Sequence, residues 1–331
     1  MINIKALRSD LDYKLHESKQ MIILPHNKVD FDAIASAIAL SLVADKHKKD
    51  SHVVVNDYPH QIERGCKIIM DEAKNDCSII NKDKYRKIHT FDDLFVLTDV
   101  NKKNLISIPE FIKDPDKTII IDHHDPDKNT LKSTGIHIDT TMSSASEIVY
   151  RLLLDYKIKV PRNIANYLLA GIYLDTTKFV KASRSTMNIV SRLMACGADM
   201  GTINDWFTED LESYKRVHAL VSNVELLKYT YALIQADESE EYEKEDLAKA
   251  ADEALRFGAD ASFVIGRLNE KTIGVSARSK GQTNIGDIMQ ELGGGGNVQS
   301  GAAQIENSSI QEVGKTLKKV LRPIYYYENK S

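Results

Sequence analysis

Met21–Lys48 reads MIILPHNKVDFDAIASAIALSLVADKHK. Its opening, MIILPH (Met21 to His26), is a short apolar run that stops at a polar residue. Its second half, Asp32 to Lys48, is rich in Ala and Leu and predicts a helix. The turn between them holds His26, Asp30 and Asp32. The same apolar texture returns in HVVVND (His52 to Asp57), LFVLTD (Leu94 to Asp99) and TIIIDH (Thr118 to His123). Continuous apolar runs alternating with helices predict a parallel sheet buried on both faces. In such sheets ligands bind beyond the carboxyl ends of the strands. His26, Asp99 and the run Asp122-His123-His124 all fall at those ends, so residues remote in sequence can meet there.

After His124 the texture turns helical. SSASEIVYRLLLDYK (Ser143 to Lys157) opens with serines suited to an N-cap and has a Glu three residues beyond Ser144. RNIANYLLAGIYLDTTKF (Arg162 to Phe179) predicts a mostly apolar helix carrying Asp175, and Ser185 to Asp199 ends in a glycine stop signal. Asn204 to Asn223 reads as an exposed linking helix. A second strand–helix–strand–strand pattern begins near Tyr229 and closes on the helix IQEVGKTLKKVLRP. The expected organisation is an α/β chain with a parallel-sheet catalytic domain over residues 1–200. A linker over 201–228 and a smaller α/β domain over 229–331 follow, with the active site in the cleft between the domains.

Bulk numbers narrow the function. Hydrophobic content of 42% and charged content of 28% are those of an ordinary soluble protein. A formal net charge of -4 argues against nonspecific binding of long nucleic acid, which needs a basic surface. A small anionic substrate is still compatible, because bound cations would supply positive charge locally. Three cysteines without a CxxC pair suit a reducing compartment. The charged start is no signal peptide, and the longest apolar stretch, Ala33 to Ala44, is too short to cross a bilayer. A cytoplasmic location and no membrane association of this chain are expected.

Six residues read as one metal cage: His26, Asp30, Asp32, Asp99, His123 and Asp175. Four carboxylates and two imidazoles gathered in one place repel unless cations lie between them. That predicts two divalent metal ions and chemistry on phosphate. His26 and Asp30 are assigned to one ion, Asp32, His123 and Asp175 to the other, and Asp99 to both. Mixed His and Asp donors without thiolates suit Mn2+, with cobalt and magnesium left open. In the second domain SARS (Ser276 to Ser279) and GGGGNVQSGAAQ (Gly293 to Gln304) suggest a phosphate grip. Arg278 offers a planar fork, and consecutive glycines let backbone N–H groups approach an anion.

HNKVDFDAIAS, LTD, DHH and GIYLDTTKF, in that order, resemble the four motifs of the DHH phosphoesterase family, which includes RecJ exonucleases, nanoRNases and cyclic-di-AMP phosphodiesterases. The SARS and glycine-rich segments resemble the DHH-associated domain that follows. Across nearly the whole chain the order and spacing are most similar to the catalytic half of GdpP-type cyclic-di-AMP phosphodiesterases, the serines of SSASE included. The resemblance implies hydrolysis of cyclic-di-AMP to pApA by a metal-activated water. Asp99, His123 and His124 would serve catalysis, His124 either orienting a ligand or protonating the leaving group. Arg278, Gly294, Gly295, Gly296, Asn297 and Ser144 would contact the nucleotide. Three departures bear on this. GdpP-type proteins carry membrane helices and sensory modules ahead of these domains, whereas here nothing precedes them, with the native start left open. Asn297 stands where the family's Gly-Gly-Gly-His has His, and Asn101 replaces a His commonly found two residues after the second-motif Asp. Neither Asn can carry positive charge. A hydrolase preferring pApA or short RNA, and a cyclic-di-AMP sensor without turnover, stay open as alternatives. So does a homodimer.

Overall fold

The computed structural model describes residues 2–56, 62–208, 211–227 and 230–327, with side chains to residue 322. The chain divides into two compact units, Met1–Thr208 and Glu209–Ser331.

The first unit runs α1 (Ile4–Glu17), β1 (Gln20–Leu24), α2 (Phe31–Lys46), β2 (Asp50–Val55), α3 (Arg64–Ala73), β3 (Ser78–Asn81), α4 (Lys82–Ile88), β4 (Asp93–Thr98), β5 (Thr118–Asp122) and β6 (Gly135–Ile138), then α5 (Ala145–Asp155), α6 (Arg162–Asp175), α7 (Arg184–Ala195) and α8 (Met200–Trp206). The strands form one sheet in the order β3-β2-β1-β4-β5-β6, and every pair is parallel. Successive residues of each strand serve opposite faces. Met21, Ile23, Val53, Leu94, Val96, Ile119 and Ile121 enter the core beneath α2, α5 and α6. Ile22, Leu24, Val54, Leu97 and Ile120 enter a second core on the other face. Both faces are therefore dry, which is why these strands are apolar throughout rather than alternating. Asp57, expected at the end of β2, lies outside the described residues.

The second unit runs α9 (Leu211–Ser222), β7 (Val224–Leu227), β8 (Tyr231–Gln235), α10 (Lys244–Ala254), β9 (Ala261–Asn269), β10 (Thr272–Ser279), α11 (Ile285–Glu291), β11 (Gly295–Gly296), β12 (Ser300–Glu306) and α12 (Ile310–Tyr327). Its sheet has the order β11-β12-β10-β9-β8-β7 and is mixed, only β8–β9 being parallel. Asn204 to Asn223, read as one linking helix, holds the end of α8 and all of α9, the edge strand β7 follows, and the boundary at 228–229 lies outside the described residues. Leu220 and Val221 bury one end of α9 in the second core, so it packs with that unit instead of standing exposed.

Candidate metal centre

Three of the six residues are delivered by strand ends. His26 stands two residues past β1, Asp99 immediately past β4 and His123 immediately past β5. Parallel pairing of β1 with β4 and β4 with β5 brings those ends side by side. Helices deliver the other three. Asp30 is the N-cap of α2, its Oδ1 accepting from Ala33 N at 3.0 Å, which leaves Oδ2 for other work. Asp32 sits in the first turn of α2, fully buried. Asp175 is the last residue of α6.

The side chains converge. His26 Nε2 lies 3.4 Å from Asp30 Oδ2 and 3.4 Å from Asp99 Oδ2. His123 Nε2 lies 3.3 Å from Asp99 Oδ1, 3.2 Å from Asp175 Oδ2 and 3.9 Å from Asp32 Oδ2. Asp99 thus turns one oxygen to each imidazole. Two donor sets result, His26-Asp30-Asp99 and Asp32-Asp99-His123-Asp175, each with ligand atoms within 4.8 Å of one another. Buried Asp99 Oδ1 and His123 Nε2 have no hydrogen-bond partner, although they face each other across this gap. Buried polar atoms are ordinarily satisfied. An all-oxygen-and-imidazole set with such orphans fits a divalent cation of the hard or borderline kind. The cavity beside it, about 200 Å³, is lined by His26, Asp30, Asp99, Asn101, His124 and Asp175 among others.

Burial and mutual charge shift the titration of these groups strongly. Burial opposes protonation of His26, but its hydrogen bonding and charge interaction with Asp30 and Asp99 outweigh it and raise its pKa to about 10. His123 is raised to about 11 by Asp175, Asp99 and Asp32 against the same burial. Burial would push Asp99 up, yet His123 and His26 hold it down at about 2. Asp32 is driven well above the carboxylate range by burial and by the charges of Asp99 and Asp175, and Asp175 is raised for similar reasons.

Several groups that sequence reasoning left out hold the donors in place. Asp32 is gripped by the N-terminus of α5: Ala145 N donates to Oδ2 at 2.7 Å and Ser146 N to Oδ1 at 2.8 Å. Two helix-terminal amides on one buried carboxylate are a strong, oriented clamp. Asp122 is fully buried and accepts from His123 N at 2.7 Å, while its Oδ1 lies 2.9 Å from His124 Nδ1. It shapes the turn after β5 and fixes the His124 ring, whose pKa it raises. The only signal for it was its place in the Asp122-His123-His124 run. Gly171 lets α6 cross α2 closely: a Cβ there would stand 2.8 Å from Asp32 Oδ1 and 2.4 Å from Ser146 Oγ. A glycine inside a helix costs roughly 1 kcal/mol, so its presence in GIYLD was a packing signal.

Ser144 is fully buried and its hydroxyl accepts from Glu147 N, capping α5 as the serine-rich opening of that helix predicts. The helix expected to run to Phe179 stops at Asp175, with Thr176 as its C-cap and the Thr176 hydroxyl on Ile172 O at 2.6 Å. Thr177, Lys178 and Phe179 then adopt positive φ values of 52°, 57° and 68°. Asn101, buried, donates to His124 O at 3.3 Å, which ties the loop after β4 to the loop after β5.

In the second unit the two expected binding segments meet through Ser300. Arg278 of β10 is in register with Ser300 of β12, and Asn297 Oδ1 accepts from Ser300 N at 2.9 Å and Gln299 N at 2.8 Å. Asn297 therefore holds its own turn. Arg278 is partly engaged already, with Nε on Asp252 Oδ1 at 3.0 Å and Nη1 on Ala277 O at 3.0 Å. The glycines serve packing as much as approach to an anion. A Cβ on Gly294 would stand 2.1 Å from Ala302 O, and one on Gly296 2.2 Å from Ser300 O, while Gly295 has open space.

A family model described as the DHH family, N-terminal domain, matches residues 20–172, and a DHHA1 domain model matches residues 226–322. The cyclic-di-AMP phosphodiesterase GdpP of Bacillus subtilis (strain 168) is 30% identical over 314 residues, covering 91% of this chain and 47% of that protein. The chain spans about half of the length of that protein, of GdpP from Geobacillus thermodenitrificans and of PdeA from Listeria monocytogenes, all cyclic-di-AMP phosphodiesterases. An exopolyphosphatase-related protein from Bacteroides fragilis shares the fold with a TM-score of 0.82 at 22% identity, over 98% of this chain and 97% of that one. The structure of exonuclease RecJ bound to manganese shares it with a TM-score of 0.55 at 10% identity, over 96% and 94%. No helix among the described residues is long and apolar enough to cross a membrane.

Proposed function

We propose, on the premise that this chain belongs to the DHH family and carries a DHHA1 domain, that it is a metal-dependent phosphodiesterase opening cyclic-di-AMP to linear pApA. The observation that carries the chemistry is the division of the two Asp99 oxygens between His26 and His123. One carboxylate shared by two donor sets is the arrangement that holds a pair of divalent cations against one phosphate. The likeness to GdpP supports the choice of cyclic-di-AMP, and the donor chemistry supports manganese.

His26 and Asp30 would hold one ion, Asp32, His123 and Asp175 the other, with Asp99 common to both. When bound, such ions supply an activated water and neutralise charge growing on the phosphoryl oxygens. The rest is the work of the chain. The α5 amides hold Asp32 in place and aim it. Asp122 holds His124 by Nδ1 and leaves its Nε2, on a ring 58% exposed, to meet the departing 3′ oxygen with a proton. Arg278 and the Gly294–Asn297 turn serve as the nucleotide-binding elements of the second unit.

The test is hydrolysis of cyclic-di-AMP, pApA and short oligoribonucleotides by the purified protein with manganese. The cyclic form is expected to disappear fastest and to yield pApA. Faster loss of pApA overturns the substrate assignment and leaves the metal centre standing. Tight binding of cyclic-di-AMP with no turnover makes the protein a sensor.

A further inference from the structure

The crevice between α3 and the carboxyl ends of β2 and β3 is a cavity of about 360 Å³, separate from the metal centre. That size falls among small-molecule sites, roughly 300–1,000 Å³. Ile62, Met70 and Ile79, all partly exposed, give it an apolar wall on the face under α3, while Ile80, the next residue of β3, turns to the opposite face of the sheet. Its rim carries Lys67, Lys74 and Lys84 against a single carboxylate, Asp71. Asp71 is already paired with Lys74 at 2.6 Å. Lys67, half-buried, and Lys84, exposed, have no ion-pair or hydrogen-bonding partner for their ammonium groups among the described residues. On a chain of net charge -4, two unneutralised ammonium groups beside an apolar wall select a molecule with a flat apolar body and an anionic end.

The location adds a second argument. Val55 and Asn56 close the carboxyl end of β2, the direct neighbour of β1, so the crevice opens on the edge where parallel sheets bind ligands. Asn56 Nδ2 donates to Asn27 Oδ1 at 2.8 Å. Asn27 follows His26 in the loop that leads to Asp30, and its own N–H is pinned to Leu105 O at 2.6 Å. The Asn56 amide keeps a second N–H and a carbonyl oxygen, a donor and acceptor pair suited to the edge of a purine.

We propose that this crevice is a second nucleoside-phosphate site, with the base over Met70 and Ile79 and the phosphate on Lys67 and Lys84, coupled to the metal-centre loop through the Asn56–Asn27 hydrogen bond. The site goes beyond the phosphodiesterase reading and stands or falls without it, because its test measures binding and not turnover. AMP is titrated into the full chain in EDTA, which removes any phosphate binding through metal, and binding is followed by calorimetry and by amide NMR shifts. Saturable binding with a Kd below about 1 mM is expected. Lys67→Glu and Lys84→Glu should each weaken it about tenfold or more, as loss of a charged contact implies. Adenosine and inorganic phosphate, each offering half of the ligand, should bind more weakly than AMP, and AMP should shift the amides of Asn27 and Asn56. Lys84 is exposed, so its variant keeps the test valid if the Lys67 variant folds poorly. Binding that does not saturate, or equal affinity in wild type and Lys84→Glu, overturns the proposal. Phosphate binding as tightly as AMP reduces the site to a plain anion patch and overturns it too.

Discussion

In the proposed centre Asp99 would meet the two demands made of a bridging ligand. Its oxygens diverge toward separate imidazoles, and its backbone takes a φ of 57°, which L residues other than Asn and Asp seldom adopt. Asn shares that tolerance, so Asp99→Asn should fold normally while turnover with manganese falls at least about 100-fold. Unchanged turnover would remove Asp99 from the bridging role. The imidazoles set a pH dependence. His26 and His123 have folded pKa values of about 10 and about 11, above the unfolded value of about 6.5. A raised pKa gives stability that is complete below pH 6.5 and is lost as pH rises through 10 and 11. The metal-free protein should therefore melt at lower temperature at pH 9.5 than at pH 7, whereas manganese-loaded protein, its imidazoles already neutral and ligated, should show a smaller change. Thermal melts in EDTA and in manganese at both pH values measure this.

At the scale of elements, the site depends on how closely helices meet. The α5 terminus can clamp Asp32 only because Ser144 caps it, accepting from Glu147 N at 3.1 Å. Ser144→Ala should cost about 1 kcal/mol of stability and lower Tm by roughly 2–4 °C. Gly171 is the more exacting position. Gly171→Ala places a methyl group against Asp32 and Ser146, so either the helices part or the carboxylate moves. Overpacking of this kind costs roughly 1–3 kcal/mol. A shift of Asp32 should in addition weaken manganese binding about tenfold, read directly by calorimetry. A Tm loss with unaltered manganese affinity would make Gly171 a packing residue and nothing more. Helix amphipathicity does not reveal either contact, because both are made between elements some 110 or more residues apart: Asp32 with Ala145 and Ser146, and Asp32 with Gly171.

At the scale of the whole molecule, two units with separate cores carry different burdens. All six members of the cage belong to the first unit. Chelation should lower the melting transition of that unit and leave the second unit's unchanged. At a manganese concentration about 100 times Kd the ligand contributes about 2.7 kcal/mol, which corresponds to a shift of roughly 5–10 °C. Calorimetric scans with EDTA and with manganese would show it, and a single transition moving as a whole would mean that the units unfold together.

Much of the first unit could be read directly from the chain. Unbroken apolar runs such as Ile119–Ile121 have nowhere to go but a sheet dry on both faces, and parallel pairing then gathers His26, Asp99 and His123 at one edge. That follows from local chemistry alone, since strand character and the polarity of the residue ending each strand are properties of neighbours in sequence. Tertiary structure decided the rest. It chose which carboxylate oxygen faces which imidazole, set the α5 amides on Asp32, and gave Ser144 and Asn297 backbone N–H partners within their own turns. Hydroxyl and amide side chains bond equally well to a ligand or to a nearby backbone N–H. Only the folded path of the chain, by bringing one of those partners within 3 Å, determines which it is.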